Sequence, residues 1–326
     1  MHAIEVAELG DASVLRWVEK PEPVPGPGEV AIRVALTGVN FADIQARRGA
    51  YHGGQKPPFT PGLDCMGTIS AIGSGVQGLR VGQRVAAFPD GGSYAEVVVA
   101  RAILTYALDD AVSDEAGASL LLLVTAYNTI TLAGRMQKGD GILIHAGGGG
   151  VGSTAVQIAR VLGAGKIFAT AGGAEKVAIA RKAGADVAID HSAEDFAARI
   201  KAETDGRGVD IVLDSVAGDM FKNSLPLLAA YGRYVIYGMA SGTPGSVQTD
   251  MLHSSNRAVL GYSSGSYRKT RPEGLRPAAE ASLKLVAQGK VTPVIGQRFA
   301  LRDATKAHEL VESRKSHGKI LLSTTI

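Results

Sequence analysis

Gly147, Gly149 and Gly152, within "HAGGGGVGSTAVQIARVLGAGK", satisfy the spacing G-x-G-x-x-G. In a dinucleotide site the first glycine makes a tight turn, the second admits a pyrophosphate to the backbone, and the third lets helix and strand pack closely. The motif carries that meaning only between a strand and a helix. Upstream, Gly141-Ile142-Leu143-Ile144-His145 is an apolar run of buried-strand length. Downstream, Val151, Ala155, Ile158, Ala159 and Leu162 recur along one helix face, and the helix amino terminus offers unpaired N–H groups to an anion. A slack linker would require neither flank.

The end of the following strand selects the cofactor. NAD sites place Asp or Glu there to accept from the ribose 2′-OH, whereas this chain reads Thr170-Ala171-Gly172-Gly173-Ala174-Glu175-Lys176. No carboxylate ends the strand, and the small residues leave space for a 2′-phosphate. Glu175 dissents, but at a helix start it is expected to face solvent and favour the dipole.

The elements that position these residues form two patterns. From Gly141 onward, "GILIH", "KIFAT", "DVAID", "VDIVLDSV" and "RYVIYG" alternate with helical stretches such as "EKVAIARKAGA" and "AEDFAARIKAETDG". Alternation of this kind implies a doubly wound parallel sheet of the α/β class. Residues 1–120 instead give short strands broken by "PEPVPGPGE", "PPFTPG" and "FPDGG", a mostly β domain. The segment 261–326 carries the helices "PAAEASLKLVAQGK" and "DATKAHELVESRK" and the strands "RFAL" and "KILLST"; it is too small to stand alone and is expected to complete the first domain. The nucleotide domain, 121–260, is then an insertion.

Composition narrows the function classes. The chain has 326 residues, 45% hydrophobic and 20% charged, enough for real cores. A net charge of +3 without a basic run or stripe argues against a nucleic-acid partner. Cys65 is the only cysteine, so neither an intrachain disulfide nor a thiolate cluster for structural zinc is available. The strand-like "MHAIEVAEL" does not read as a signal peptide, and "ASLLLLVTAY" is too short to span a bilayer; a cytoplasmic enzyme is expected, with no membrane partner.

"GVNFADIQARRGAY", "PPFTPGLDCMGTISAIGSGV", "VGQRV", "LLVTAY", "HAGGGGVG" and "SRKSHGKILL" together resemble the zinc-independent quinone oxidoreductases of the medium-chain dehydrogenase/reductase superfamily. The resemblance covers nearly the whole chain in order. It implies a GroES-like catalytic domain, a Rossmann domain, NADPH in a cleft between them, and a homodimer. Zinc alcohol dehydrogenases of the same superfamily place cysteine, histidine and cysteine where this chain has Asn40, Leu63 and Leu121, none of which suits zinc. A site rebuilt from His52 and Asp64 lacks clustered ligand spacing. No metal is expected. Without a Lewis acid, alcohol oxidation loses its usual alkoxide stabiliser, and the expected acceptor is a quinone or another conjugated carbonyl.

The resemblance also assigns residues. Gly147, Gly149, Gly150, Val151 and Gly152 hold the pyrophosphate, with Gly172 and Gly173 at the adjoining strand end. Lys176 matches the lysine directed at the 2′-phosphate; its alternative is a solvated helix position. Thr125 and the loop Gly238, Met239, Ala240 and Ser241 line the nicotinamide half. His191 stands where relatives often carry tyrosine near the adenosine. Arg314 and Lys319 either reach the cofactor from the last segment or are exposed basic residues near a helix end. At the substrate end stand Asn40, a donor to a carbonyl oxygen or the nicotinamide ribose, Tyr51, which can stack or donate, and Asp43. Asp43 has a second reading, an ion pair with Arg47 on the same helix. His145 reads as a packed strand-end residue, and "RGAYHGGQKPPF" has the glycine and proline content of a mobile lip. Reduction of an enone or enoyl thioester is the nearest alternative activity; a noncatalytic NADPH-binding protein is the alternative of another class.

Overall fold

A computed structural model describes residues 1–51 and 54–325. In chain order its strands are β1 (His2–Val6), β2 (Leu15–Glu19), β3 (Glu29–Val39), β4 (Cys65–Ile72), β5 (Arg84–Ala87), β6 (Val97–Arg101), β7 (Thr105–Ala107), β8 (Ile142–Ile144), β9 (Ile167–Ala171), β10 (Val187–Asp190), β11 (Val209–Asp214), β12 (Leu228–Ile236), β13 (Ala258–Gly261), β14 (Ile295–Ala300) and β15 (Lys319–Ser323). The chain divides into two compact units, one of residues 1–121, 265–289 and 293–326, the other of residues 122–264 and 290–292.

The second unit is built on a six-stranded sheet in the order β10-β9-β8-β11-β12-β13, with every neighbouring pair parallel. This is the doubly wound arrangement that the alternation of strands and helices implied, and its order reverses between β8 and β11. Leu143, Phe168, Ile189, Val212 and Tyr234 from the strands pack with Phe196, Ile200 and Phe221 from the connecting helices in one buried cluster. Two details differ from the sequence reading. β12 begins at Leu228, well before "RYVIYG", and β13 was not anticipated at all. Its apolar run Ala258-Val259-Leu260-Gly261 is only four residues long and partly exposed at the sheet edge, too short to mark a strand by itself.

The first unit holds a seven-stranded sheet, β14-β15-β3-β4-β5-β7 with β6 added to β3, and the two-stranded pair β1-β2. The last segment supplies β14 and β15, and β15 pairs antiparallel with β3, Ile320 opposite Val39 and Leu321 opposite Gly38. Ala304 and Ala307 of the helix Ala304–Glu312 cover Ile4, Val39 and Ile320. A helix over Ser264–Thr270, absent from the sequence reading, precedes Arg276–Ala287. No helix among the described residues is long and apolar enough to cross a membrane.

Candidate functional site: a glycine cradle and a buried lysine cluster

In the second unit the nucleotide loop lies at the carboxyl end of β8. The Gly147 N–H donates to the Thr170 carbonyl at 2.8 Å, tying the loop to β9. A Cβ at Gly147 would lie 2.8 Å from Ala169 Cβ, and one at Gly152 only 2.2 Å from the Ala146 carbonyl oxygen. Neither position accepts a side chain. At Gly149, the N-cap of the helix Gly150–Val161, a Cβ would meet only that same oxygen, at 3.3 Å; the space beyond is open to a ligand. Gly150 and Val151 are half-buried in the first turn.

Gly148 adds a contact that the G-x-G-x-x-G pattern does not predict. Its Cβ would fall 2.6 to 2.9 Å from Lys176 Cβ, carbonyl oxygen and Cα, so the backbone of Lys176 rests on the glycine loop. Burial lowers the Lys176 pKa, opposed by the charge of Glu175, whose side chain is exposed in the first helical turn as expected. Gly173, at φ +89°, takes a conformation that suits glycine, and its N–H donates to Asp190 Oδ1 at 3.0 Å. The Asp190 carboxyl is held below its usual range by the Ser192 hydroxyl and by the Gly173 and Ser192 N–H groups. His191 follows it at the end of β10, its N–H donating to the Ala171 carbonyl, with its ring near Gly172.

The loop Gly238–Ser241 follows β12 and is anchored by N–H donation from Ala240 to Ser215 and from Ser241 to Val216, both at 2.9 Å. Met239 stands 45% exposed in it, and Thr125 is buried in the helix Leu120–Asn128. The strand-end candidates of this unit therefore share the carboxyl edge of one parallel sheet, where open α/β sheets bind ligands. His145 is packed, as read from sequence: its two ring nitrogens meet Thr170 Oγ1 at 2.7 Å and Ser224 Oγ at 2.8 Å. Burial pushes its pKa down to about 4.

In the first unit three adjacent strand ends converge. Asn40 follows β3, Asp64 precedes β4, and Lys319 opens β15. Lys319 Nζ donates to Asn40 Oδ1 at 2.6 Å and lies 3.3 Å from both oxygens of Asp64. Asn40 Nδ2 donates to Asp64 Oδ1 at 2.8 Å and to the Gly38 carbonyl at 3.2 Å, while the Leu121 N–H donates to Asp64 Oδ2 at 2.9 Å. The carboxylate is fully buried and the lysine 3% exposed. Of the two sequence readings of Lys319, the exposed residue near a helix end does not hold, and in place of a reach to the cofactor its ammonium is committed inside this cluster. Arg314 does follow the helix Ala304–Glu312 and is exposed.

Asp43 lies behind Asn40, 1% exposed, in the helix Phe41–Arg47. Its Oδ2 accepts the Asn40 backbone N–H at 2.8 Å, a capping contact that ties helix start to strand end, and the Tyr94 hydroxyl at 3.3 Å. Among the described residues Oδ1 has no hydrogen-bond partner. Burial raises the Asp43 pKa to about 7 against the pull of the Asn40 N–H. The ion pair with Arg47 suggested by their spacing does not form: the buried Arg47 guanidinium bonds Glu312. Tyr94 also meets His308 Nε2 at 3.1 Å, and burial lowers the His308 pKa to about 3. Tyr51 is half-buried just past the helix; the adjoining His52 lies outside the described residues, as does Gly53 of the expected lip. Phe41, next to Asn40, leaves 38% of its surface exposed and was not singled out from sequence.

Residues 26–110 match the alcohol dehydrogenase GroES-like domain family, and residues 150–281 the zinc-binding dehydrogenase family. The chain is 35% identical to the quinone oxidoreductase of Salmonella typhimurium over 98% of both chains. It is 30% identical to the mouse synaptic vesicle membrane protein VAT-1 homolog-like, over 99% of this chain and 81% of the relative. The crystal structure of Escherichia coli quinone oxidoreductase complexed with NADPH superposes with a TM-score of 0.92 at 33% identity, covering 99% of this chain and 100% of the other.

One of these family names implies zinc, and the donors here do not fit it. Asn40 and the Leu121 N–H surround an ion pair, Leu63 offers no ligand atom, and the one carboxylate in the cluster has both oxygens engaged. The neighbouring Cys65 is buried, its thiol pKa pushed far up by desolvation. Among the described residues no group of three or more His, Cys, Asp or Glu side chains could hold a metal ion. At 35% identity to a quinone oxidoreductase over 98% of both chains, the chain belongs to the zinc-independent quinone oxidoreductase family of the medium-chain dehydrogenase/reductase superfamily.

Proposed function

We propose that this chain is an NADPH-dependent oxidoreductase that reduces quinones or related conjugated carbonyls. The observation that carries the proposal is the cradle of Gly147, Gly148, Gly149 and Gly152 with Lys176 packed on it, beside a strand end without a carboxylate. Four solved or curated relatives point the same way, three of them quinone oxidoreductases by name and two of them complexed with NADPH. Loop N–H groups and the amino terminus of the helix Gly150–Val161 take the pyrophosphate. Lys176 takes the 2′-phosphate, Gly172, Gly173 and His191 flank the adenosine, and Thr125 with Gly238, Met239, Ala240 and Ser241 lines the nicotinamide, with Arg314 as a further contact.

When bound, the reduced nicotinamide supplies a hydride. The acceptor gains that hydride and one proton from water, giving hydroquinone and NADP⁺. Asn40 donates to the acceptor oxygen on which charge develops, and Tyr51 and Phe41 offer aromatic surface to a planar substrate. Asp43 is too deeply buried to meet the acceptor and serves Asn40 as a positioning residue through its backbone contact. Since Oδ2 already accepts two donors, a proton on Asp43 belongs on Oδ1.

A homodimer is part of the proposal, supported by β13, which among the described residues pairs only with β12 and so leaves a strand edge open. A cytoplasmic setting fits a single buried cysteine. The test is a steady-state screen of purified protein with NADPH against 1,4-benzoquinone, a simple enone and an enoyl thioester, and with NADP⁺ against simple alcohols. Fastest turnover with the quinone supports the proposal; faster turnover with the alcohols overturns it, and faster turnover with the thioester moves the substrate class to carbon–carbon double bonds. Light scattering reads the dimer.

A further inference from the structure

We propose that Lys319 is the positioning residue that fixes and polarises the Asn40 amide for the anion formed on the acceptor. This rests on the reading of Asn40 as the acceptor-binding amide. Burying an ammonium is costly unless it is paired, and Asp64 supplies the pairing charge. Charge balance alone does not explain the geometry, however. The shortest contact of the ammonium, 2.6 Å, goes to the neutral Asn40 Oδ1, whereas both Asp64 oxygens stand at 3.3 Å.

That contact fixes the amide. An ammonium can only donate and a carboxylate can only accept, so the atom facing Lys319 is the amide oxygen and the atom facing Asp64 is the nitrogen. A flipped amide would set NH₂ against NH₃⁺ and oxygen against carboxylate, two repulsive pairs. A cation on the amide oxygen also withdraws electron density and strengthens the N–H groups as donors. Of those, the one on the Gly38 carbonyl is the longer bond, 3.2 Å, and is the one the acceptor oxygen can share. A donor held in place before charge develops is the arrangement that stabilises an oxyanion.

Gly38 makes the arrangement possible. A Cβ there would lie 2.3 Å from both Cε and Nζ of Lys319 and 2.7 Å from Asp64 Oδ1. This glycine, next to the end of β3 and paired with Leu321 of β15, keeps φ negative, so its task is space rather than backbone freedom. At two of the three positions where zinc enzymes carry metal ligands, Asn40 and Leu121, the chain instead holds the Lys319–Asp64 pair.

The test is a set of variants read by kcat and KM for 1,4-benzoquinone, NADPH affinity by fluorescence titration, and thermal unfolding. Lys319→Met should lower kcat by about tenfold to a hundredfold while the quinone KM moves less than about threefold. Lys319→Met/Asp64→Asn removes both charges, leaves no unpaired ion, and should regain wild-type melting while kcat stays low. If that variant does not fold, Lys319→Gln/Asp64→Asn, which keeps hydrogen-bonding groups at both positions, replaces it with the same expectation. In the Asn40→Ala background Lys319→Met should lower kcat by less than about twofold further, because the lysine acts through the amide. Wild-type kcat in the charge-free variant, or equal losses in both backgrounds, overturns the proposal while the acceptor reading stands. Wild-type turnover by folded Asn40→Ala overturns the acceptor reading itself, and the proposal with it.

Discussion

Lys176→Ala should collapse the preference for NADPH over NADH. The lysine lies in the first turn of the helix Ala174–Lys182, half-buried, with its backbone against Gly148. Desolvation already lowers its pKa in the folded chain, so part of the cost of bringing the ammonium to a phosphate is met before NADPH binds. A charge-assisted hydrogen bond contributes about 1.5 to 3 kcal/mol, which converts to about a tenfold to hundredfold loss of NADPH affinity. NADH lacks the 2′-phosphate and should lose little. Alanine retains the Cβ that packs over the glycine loop, so the cradle itself is spared. Fluorescence titration of both cofactors against wild type, Lys176→Ala and Lys176→Met measures the effect, the methionine testing whether the stem alone matters. Equal affinities of the wild-type protein for NADPH and NADH would refute the reasoning. So would parallel losses for both cofactors in Lys176→Ala, which would mean that the loop had moved.

Gly152→Ala should weaken NADPH binding on the order of a hundredfold, since its Cβ would stand 2.2 Å from the Ala146 carbonyl oxygen and backbone must shift; near wild-type affinity by titration would count against the cradle. His145 should make the fold acid-labile. Its imidazole stays neutral in the folded chain down to about pH 4 but protonates near 6.5 when unfolded, so the unfolded state binds more protons within that window and stability falls as pH drops through it, by roughly 3 kcal/mol for this residue. Urea unfolding between pH 7 and pH 4 should show a shallower decline for His145→Asn than for wild type, and parallel curves would exclude His145 as the cause. Exhaustive dialysis against EDTA should leave quinone turnover unchanged; activity lost on dialysis and restored by stoichiometric zinc would contradict the donor set at Asn40, Leu63 and Leu121.

What the sequence reveals here depends on how far apart the interacting residues lie along the chain. The nucleotide loop is legible because its parts are contiguous: a strand, glycines whose tasks are local, and a helix face, all between 141 and 162. The parallel sheet is legible for the same reason, strand by strand, up to β13, whose four-residue apolar run at the sheet edge is too short to stand out. Charge partners follow a different rule. Asp43 and Arg47 have the spacing of a helical ion pair, yet Arg47 is taken by Glu312, 265 positions away. The group that claims Lys319 is likewise 255 positions distant, and only the antiparallel register of β15 against β3 brings it there. Read locally, "SHGKILL" offers a lysine after a helix end, and either exposure or a reach to the cofactor fits it.

Two features of the sequence nevertheless carried information about this cluster. Gly38 interrupts the apolar run of β3 without a turn, and a strand glycine marks a place where something else comes close. Asp64 is the one charged residue between Lys56 and Arg80, and an acid entering a buried strand requires a cation from elsewhere in the fold. Sequence alone states both requirements, a space and a missing positive charge, without naming the residue that meets them. The register of one strand pair supplies the name. A metal ligand set can be recognised by spacing because its residue types are few, but a lysine that replaces it is indistinguishable from any surface lysine until its strand is placed. Where expected metal ligands are absent, the informative question for the sequence is therefore which buried acid lacks a partner.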